Sequence, residues 1–529
     1  MRRSTLILFI FFIFGNISAS DYQWSVKIKD YISPETSANP EAFLWIPSDC
    51  EKVKAVIFGQ HNMCEETIFE HSAFRKTMSE LGIAIVWLTP GIDQQWNVTN
   101  GCQIYFDTLM NDLADVSGYA ELRDVPVVPL GHSAMATFPW NFAAWNPERT
   151  LAIISYHGDA PRTNLTGYGR ENLEWGRTRN IDGIPGLMIE GEYEWWEARV
   201  NPALAFRMMY PESCISFLCD AGHGHFDVSD EVVNYISVFL KKAIQYRLDT
   251  NFHQLKKVDI QNGWLAERWH PDQKERAKTA PFPLYRGDSH DAFWYFDEEI
   301  AKLTEEYYTK KRNKKNQYIG FTMNGELIDY QNTHAGYNMK FEPDNDGLTF
   351  HVSAVFTDSL HNHRTADHPK MGKIKIDRIC GPVQKLNDST FRVQFYRMGL
   401  NNKKRTSEIW LMAHHEGDNT YKSTVLQLNI NIPYPNKEGK AQRITFPPLK
   451  NIDRDKKSID LGAKSDSGLP VSYYVKVGPA EIENGKLKIT GVPPCAKYPV
   501  KVTVVGWQYG VKGRIQTAEA VERTFYIEK

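Results

Sequence analysis

A serine at the end of an apolar run gives this sequence its clearest chemical signal. Val125 to Leu130 predicts a buried strand, and Gly131-His132-Ser133-Ala134-Met135 follows it directly. A serine on a tight turn between a strand and a helix exposes its hydroxyl for attack on a carbonyl carbon. The next helix would point its N-terminus at that hydroxyl, where the helix dipole favours developing negative charge. We therefore predict Ser133 as a nucleophile and the Ala134 N–H as a donor to an oxyanion.

The turn departs from the full pattern G-x-S-x-G because Met135 replaces the second glycine. A lone G-x-S is common by chance, so the assignment depends on the predicted strand and helix around it. It also depends on a base that takes the hydroxyl proton and an acid that orients the base.

Two later strands lead into polar loops that carry such groups, first an acid and then a histidine. The run Leu187 to Glu190 continues into Gly191-Glu192-Tyr193-Glu194, and the run Ile215 to Leu218 leads to Gly222-His223-Gly224-His225-Phe226-Asp227. Parallel strands place ligands at their carboxyl ends, so both loops are expected beside Ser133.

Each loop offers two candidates, and a triad uses one acid and one base. We predict Glu194 as the acid, with Glu192 as the alternative. We predict His225 as the base, with His223 as the alternative. The unused member of each pair would close its loop by hydrogen bonding.

The loop after the first predicted strand of this region, Gly59-Gln60-His61-Asn62-Met63, is expected to complete the oxyanion site. A backbone N–H there, for which we name Asn62, would be the second donor. His61 or Asn62 could instead contact the substrate, or the loop could only cap the sheet.

Aromatic and basic residues near the predicted acid suggest a sugar ligand. Trp195 and Trp196 follow it directly, and an indole face binds a sugar ring through apolar contact; burial of one of the two is the alternative. Arg162 and Arg199 could pair with the carboxylate of an acidic sugar, and a surface role is the alternative for each.

No metal or organic cofactor is predicted. The seven cysteines include no C-x-x-C pair, and the polar stretch His361 to His368 matches no metal-binding spacing. Cys64 and Cys102 fall in predicted loops near the site and could form a disulfide.

The elements that must position these groups lie between about residues 54 and 246, where short apolar runs alternate with helical patterns. This alternation predicts a doubly wound parallel sheet covered by helices, within a catalytic domain over 21–250. Residues 71–81 predict a helix that Gly82 ends. The last helix is expected to start near Ser229, with acidic residues in its first turn.

The remainder of the chain has a different character. Residues 251–316 are polar and rich in aromatic side chains, and they predict a partly helical connector. From residue 317 onward, short strands alternate with Gly, Asn and Asp. This pattern predicts a β-rich module over 317–441 and a second β-sandwich over 442–529.

Residues 1–20 predict a cleavable secretory signal peptide, with Arg2 and Arg3 before an apolar run and small residues at 18–20. The protein is therefore expected to be secreted or periplasmic. No later segment is apolar enough to insert into a membrane. The formal net charge of −2, from 62 basic and 64 acidic side chains, gives no field for binding nucleic acid.

Residues 40–246 resemble the α/β-hydrolase superfamily. The resemblance rests on Gly131-His132-Ser133, on Pro185 to Glu194 and on Gly224-His225-Phe226-Asp227, and it is closest to secreted bacterial carbohydrate esterases with extra β-modules. It implies ester hydrolysis without a metal or organic cofactor. The C-terminal stretch resembles a bacterial immunoglobulin-like module at Ile444 to Pro448, Ser467 to Tyr473 and Val477 to Ala480.

The sequence thus predicts a secreted serine esterase that removes acetyl or methyl groups from a complex polysaccharide through an acyl-enzyme. Its partner would be that polysaccharide or a small ester. Two alternatives stay open: a serine peptidase or lipase, and an inactive glycan-binding protein that keeps the hydrolase fold.

Overall fold

The predicted site is carried by an eight-stranded sheet in the first half of the chain. The computed structural model describes residues 21–163, 173–193, 196–249, 254–271, 276–331, 333, 335–397, 400, 402 and 404–529. The predicted signal peptide lies outside the described residues. The strands of the sheet are β1 (Trp24–Lys27), β2 (Glu41–Trp45), β3 (Ala55–Gln60), β4 (Ile83–Thr89), β5 (Val127–His132), β6 (Ile153–Tyr156), β7 (Pro185–Gly191) and β8 (Cys214–Asp220).

The strands lie in the order β1-β2-β4-β3-β5-β6-β7-β8. β2 pairs antiparallel with β1 and with β4, whereas the pairs from β4 across to β8 are parallel. Every residue of β3 to β8 is buried, as expected for parallel strands covered by helices on both faces. This is the α/β-hydrolase fold, as the sequence predicts, and it brings the carboxyl ends of β5, β7 and β8 to one edge.

Helices cover both faces of the sheet, and their ends follow the sequence signals. They are α1 (Cys64–Glu70), α2 (Ser72–Leu81), α3 (Cys102–Ser117), α4 (Phe138–Trp145), α5 (Trp196–Met209), α6 (Asp230–Arg247) and α7 (Glu298–Thr309). Gly82 ends α2 with a φ of 68°, and its N–H bonds to the Met78 and Ser79 carbonyls. The Ser229 side chain caps α6 by accepting the Val232 N–H. Both predicted helix ends are confirmed.

The cysteines are free thiols, and all of them except Cys495 are buried. Cys64 belongs to the apolar cluster on one face of the sheet and Cys102 to the cluster on the other face. The sheet therefore separates these two thiols, and the disulfide considered from the sequence does not form.

The described part of 251–316 does more than connect two domains. It forms β9 (Trp264–Glu267), β10 (Ala280–Pro281) and β11 (Ala292–Tyr295) together with α7. The Ser216 hydroxyl of β8 donates to the Trp294 carbonyl at 2.6 Å, and the Tyr295 hydroxyl donates to the Phe217 carbonyl at 2.7 Å. Residues of this segment share the apolar cluster of the catalytic sheet, so the segment extends that core.

From residue 317 the chain forms small, mostly antiparallel sheets. The first β-rich module, predicted over 317–441, contains β12 (Tyr318–Met323), β13 (Glu326–Leu327), β14 (Tyr337–Lys340), β15 (Thr349–His351), β16 (Ser353–Thr357), β17 (Lys375–Cys380), β18 (Val383–Lys385), β19 (Thr390–Val393), β20 (Glu408–His415) and β21 (Thr424–Asn431). Its largest sheet has the order β14-β21-β20-β17.

The second β-rich module, predicted over 442–529, is built around a sheet of order β23-β30-β29-β26. Its strands are β22 (Ile444–Thr445), β23 (Ile452–Asp453), β24 (Ser458–Ile459), β25 (Lys464–Ser465), β26 (Ser472–Val477), β27 (Ala480–Glu483), β28 (Lys486–Ile489), β29 (Val500–Trp507) and β30 (Val521–Glu528). Among the described residues, no helix is both long and apolar enough to span a bilayer.

Candidate active site

Ser133 stands on a strained turn between β5 and α4. Its φ is 55°, a left-handed conformation that costs a non-glycine residue free energy and recurs at functional sites. A Cβ on Gly131 would lie 1.9 Å from the Met135 carbonyl oxygen, so the chain can close this turn only with glycine there. The local backbone therefore presents the Ser133 side chain at the carboxyl end of the strand.

Met135 fits because two glycines elsewhere make room for the turn. A Cβ on Gly91 would lie 2.4 Å from the Met135 Cε, and a Cβ on Gly158 would lie 2.0 Å from the Ala136 Cβ. The departure from G-x-S-x-G is thus accommodated by Gly91, which leaves space for the methionine side chain.

Ser133 and His225 are in direct contact. The His225 Nε2 lies 2.7 Å from the Ser133 Oγ, the separation needed to take the hydroxyl proton. His225 is 3% exposed and packs edge-on against Phe226. Its backbone carbonyl lies 3.0 Å from the His132 Nε2. This geometry would allow proton transfer from the Ser133 hydroxyl to the His225 ring.

The second histidine of the loop has different partners. The His223 Nδ1 lies 2.9 Å from a carboxylate oxygen of Asp220 and 2.9 Å from one of Asp227, while its Nε2 lies 2.7 Å from the Ser423 Oγ. Burial lowers the pKa of His223, but the two carboxylates outweigh burial and raise it to about 10. A protonated imidazole cannot accept a proton, so this geometry favours His225 over His223 as base.

Of the two candidates for the acid of the triad, the structure describes only one. Glu194, the predicted acid, lies outside the described residues. The alternative, Glu192, accepts the Gly222 N–H at 2.7 Å, the Trp269 indole N–H at 3.0 Å and the Lys422 ammonium at 2.9 Å. Its carboxylate therefore links the two loops to the first β-rich module.

The predicted oxyanion loop is arranged differently from the expectation. The N–H groups of Asn62 and Met63 both donate to the Glu65 Oε2, at 3.2 and 2.8 Å. The Asn62 amide nitrogen donates to the His132 carbonyl at 3.0 Å. In this conformation the N–H groups of Asn62 are thus directed to Glu65 and His132 instead of an oxyanion. The Ala134 N–H remains the predicted donor.

Glu65 is a functional candidate that the sequence reasoning missed. It is fully buried in the first turn of α1, and its Oε1 accepts the His132 N–H at 2.8 Å. Burial raises the pKa of Glu65 to about 7, although backbone N–H donors oppose the shift. An acidic residue at a helix N-terminus is an ordinary signal, and only its burial marks Glu65 as special.

Of the residues predicted to contact a sugar, the structure describes the side chains of the two arginines only. Trp195 lies outside the described residues, and Trp196 begins α5 without a described side chain. Arg199 is buried, and its Nη1 donates to a Glu190 carboxylate oxygen at 3.0 Å, so the guanidinium forms an ion pair inside the protein. The Arg162 guanidinium donates to the Tyr210 hydroxyl.

Three imidazole rings meet behind the serine. Ring nitrogens of His132, His157 and His225 lie within 4.8 Å of one another, a spacing that could hold a metal ion. Two of these rings have other contacts: the His225 Nε2 lies 2.7 Å from the Ser133 Oγ, and the His132 Nε2 lies 3.0 Å from the His225 carbonyl oxygen.

A residue of the first β-rich module also reaches this edge of the sheet. The Arg405 Nη1 donates to the Asn62 carbonyl at 2.7 Å, and its Nε lies 3.4 Å from a Glu35 carboxylate oxygen. Nothing in the sequence connects Arg405 with Asn62, because 343 positions separate them.

No protein-family model matches this chain, and no curated protein does either. Solved structures similar to it include the S-formylglutathione hydrolase FrmB from Staphylococcus aureus, at 12% identity and a TM-score of 0.30, covering 42% of this chain and 97% of that one. Est1E from Butyrivibrio proteoclasticus is similar at 16% identity and a TM-score of 0.28, covering 42% of this chain and 99% of that one. The fold assignment rests on the strand order above.

Proposed function

We propose that this protein is a serine hydrolase that cleaves carboxylic esters through an acyl-enzyme. The observation that carries the proposal is the 2.7 Å contact between the Ser133 Oγ and the His225 Nε2. The strained turn supports the proposal. A non-glycine residue with a φ of 55° costs free energy, and such residues cluster at active sites.

The proposed reaction has two steps. The Ser133 Oγ attacks the ester carbonyl carbon while His225 takes its proton, and the developing oxyanion accepts the Ala134 N–H. The alcohol leaves with the proton from His225, and the acyl group stays on Ser133. Water then attacks the acyl carbon while His225 takes one of its protons. The bond between the acyl carbon and the Ser133 Oγ breaks, His225 returns the proton to that oxygen, and the acid leaves. Glu194 is proposed to orient the His225 ring.

The proposed substrate is an acetyl or methyl ester on a complex polysaccharide, and the protein is proposed to act after secretion. This choice is supported by two β-rich modules beside the catalytic domain and by the tryptophans at 195 and 196. A serine peptidase or lipase would use the same two residues. An inactive glycan-binding protein is less well supported, because the contact between Ser133 and His225 is retained.

The test compares wild type with Ser133→Ala on 4-nitrophenyl acetate and on methyl-esterified pectin. Wild-type hydrolysis should fall at least about a thousandfold in the variant, since the nucleophile is removed. Ser389→Ala, in an exposed loop of the first β-rich module, is the matched control and should keep full activity. A fluorophosphonate probe with peptide mass spectrometry should mark Ser133 alone. Equal activity in wild type and Ser133→Ala would exclude Ser133 as the nucleophile.

A further inference from the structure

Two adjacent residues of the first β-rich module, Lys422 and Ser423, contact loops of the catalytic domain. They directly precede β21, and both are buried, at 4% and 7% exposure. We call this pair the module tip. Each residue of the tip contacts one of the two loops that carry the proposed acid and base.

Ser423 contacts the histidine loop, which connects β8 to α6. Its Oγ lies 2.7 Å from the His223 Nε2. The His223 Nδ1 in turn bonds to Asp220 at one end of the loop and to Asp227 near the other, each at 2.9 Å. Because His225 lies between these anchors, a side chain held by the tip fixes the segment that carries the proposed base.

Lys422 contacts the loop after β7, in which Glu194 lies. Its Nζ is 2.9 Å from both carboxylate oxygens of Glu192, two residues before Glu194. The same carboxylate accepts the Gly222 N–H from the histidine loop at 2.7 Å. One buried ion pair therefore joins both loops to the module.

Gly222 shows how closely the tip approaches. A Cβ at this position would lie 2.3 Å from the Ser423 carbonyl oxygen and 3.1 Å from the Lys422 Cβ. The φ of Gly222 is 88°, so both conformation and space require glycine. The backbone of the histidine loop is thus packed directly on the tip.

We propose that Lys422 and Ser423 are positioning residues, which hold the histidine loop and the Glu192 side chain after β7 in register with Ser133. The inference rests on the proposed function. Displacement of a base by about 0.5 Å is enough to reduce catalysis, and contacts around the base set its position. The first β-rich module would then help to position the loops of the active site.

The first β-rich module also contacts the catalytic domain at residues outside the module tip. The Arg378 Nη2 lies 3.3 Å from a Glu66 carboxylate oxygen, and the Tyr396 hydroxyl donates to the other oxygen at 3.2 Å. The Trp410 ring stacks on Phe226 at 5.3 Å between ring centroids. We expect these contacts to keep the module docked when the tip is changed, so that the tip variants report on the position of the loops.

The experiment measures kcat, KM and thermal stability on 4-nitrophenyl acetate for full-length Lys422→Met and Ser423→Ala. Lys340→Met is the control, because the Lys340 side chain is 75% exposed on the same module. We expect kcat to fall about tenfold or more in Lys422→Met and about threefold or more in Ser423→Ala, with little change in KM. Lys422→Arg should recover part of the lost kcat, since a guanidinium also pairs with Glu192. The control should match wild type.

A second variant guards against misfolding, because Lys422→Met leaves Glu192 buried without its cation. Glu192→Gln/Lys422→Met removes both charges, and it should stay folded while kcat remains low. Hydrogen exchange should also quicken in the histidine loop of the tip variants. A lower melting temperature with unchanged kcat and unchanged pH profile would overturn the inference and leave the esterase intact. A wild type that neither hydrolyses esters nor reacts with a fluorophosphonate would overturn the proposed function, and this inference with it.

Discussion

Glu65 accepts the backbone N–H of His132 at 2.8 Å and thereby joins α1 to the residue before the proposed nucleophile. Its other oxygen accepts the N–H groups of Asn62 and Met63. Backbone donors from the end of β5 and from the loop after β3 thus converge on one buried carboxylate. This side chain therefore joins the serine turn to the loop after β3, beside the bond from the Asn62 side-chain amide to the His132 carbonyl.

We expect Glu65→Gln to lower kcat about tenfold and to destabilise the fold by about 2 kcal/mol at pH 5. Glutamine has one acceptor oxygen, so either the His132 N–H or the pair from Asn62 and Met63 would face an amide N–H. Urea unfolding and steady-state kinetics on 4-nitrophenyl acetate measure the two effects. Full activity together with wild-type stability would exclude Glu65 as a positioning residue.

The pH dependence of Glu65→Gln follows from the raised pKa of Glu65, which is about 7 in the folded protein against an ordinary value of 4.5. Between these values the folded state binds more protons than the unfolded state, so this group's contribution to stability falls as pH rises from 4.5 to 7. Glutamine does not titrate. The deficit of the variant relative to wild type should therefore shrink between about pH 5 and about pH 8.

The two histidines should differ sharply in kinetics. His225→Gln is expected to lower kcat at least about a thousandfold, because His225 contacts the Ser133 hydroxyl. His223→Gln should lower kcat only about tenfold, because His223 acts on the loop through Asp220, Asp227 and Ser423. Stopped-flow acylation separates the two cases. Equal losses in both variants would contradict the assignment of His225 as the base.

The order of the chemical groups could be read from the sequence because each follows its own strand. Ser133 directly follows β5, and His225 lies in the loop after β8. Because β5 to β8 are parallel, both residues lie at the same edge of the sheet, although β6 and β7 separate the two strands. Local patterns therefore sufficed for the fold of the catalytic domain and for the position of these candidates. The choice between His223 and His225 required coordinates, since both occupy one loop.

The supporting contacts could not be read from the sequence because they depend on how distant segments dock. Lys422 and Glu192 are 230 positions apart, and neither matches a local motif. The Asn62 N–H, predicted as an oxyanion donor, donates to the Glu65 carboxylate three residues later, a contact that the loop sequence does not reveal. Burial of charged groups follows from packing between domains, which hydrophobic periodicity does not encode.

We expect even a methyl group at Gly131 to destabilise the serine turn. In Gly131→Ala the new Cβ would lie 1.9 Å from the Met135 carbonyl oxygen, a backbone atom that cannot move without opening the turn. We expect a loss of at least about 3 kcal/mol in the free energy of unfolding. Gly224→Ala is the comparison, since a Cβ at that position would have no atom within 4 Å. A loss in Gly131→Ala no larger than in Gly224→Ala would refute the steric account of the turn.

The cluster around His223 should make stability depend on alkaline pH. The pKa of His223 is raised from 6.5 to about 10 in the folded protein by the carboxylates of Asp220 and Asp227, against the opposing effect of burial. The resulting stabilisation is complete below pH 6.5 and is lost as pH rises through 10, because the folded state then releases the extra proton. Urea unfolding at about pH 7 and about pH 9.5 should show a larger loss in wild type than in His223→Gln, by about 3 kcal/mol. His290→Gln, at a side chain that is 65% exposed, should behave as wild type. Parallel pH curves for wild type and His223→Gln would show that His223 is not held protonated by the two carboxylates.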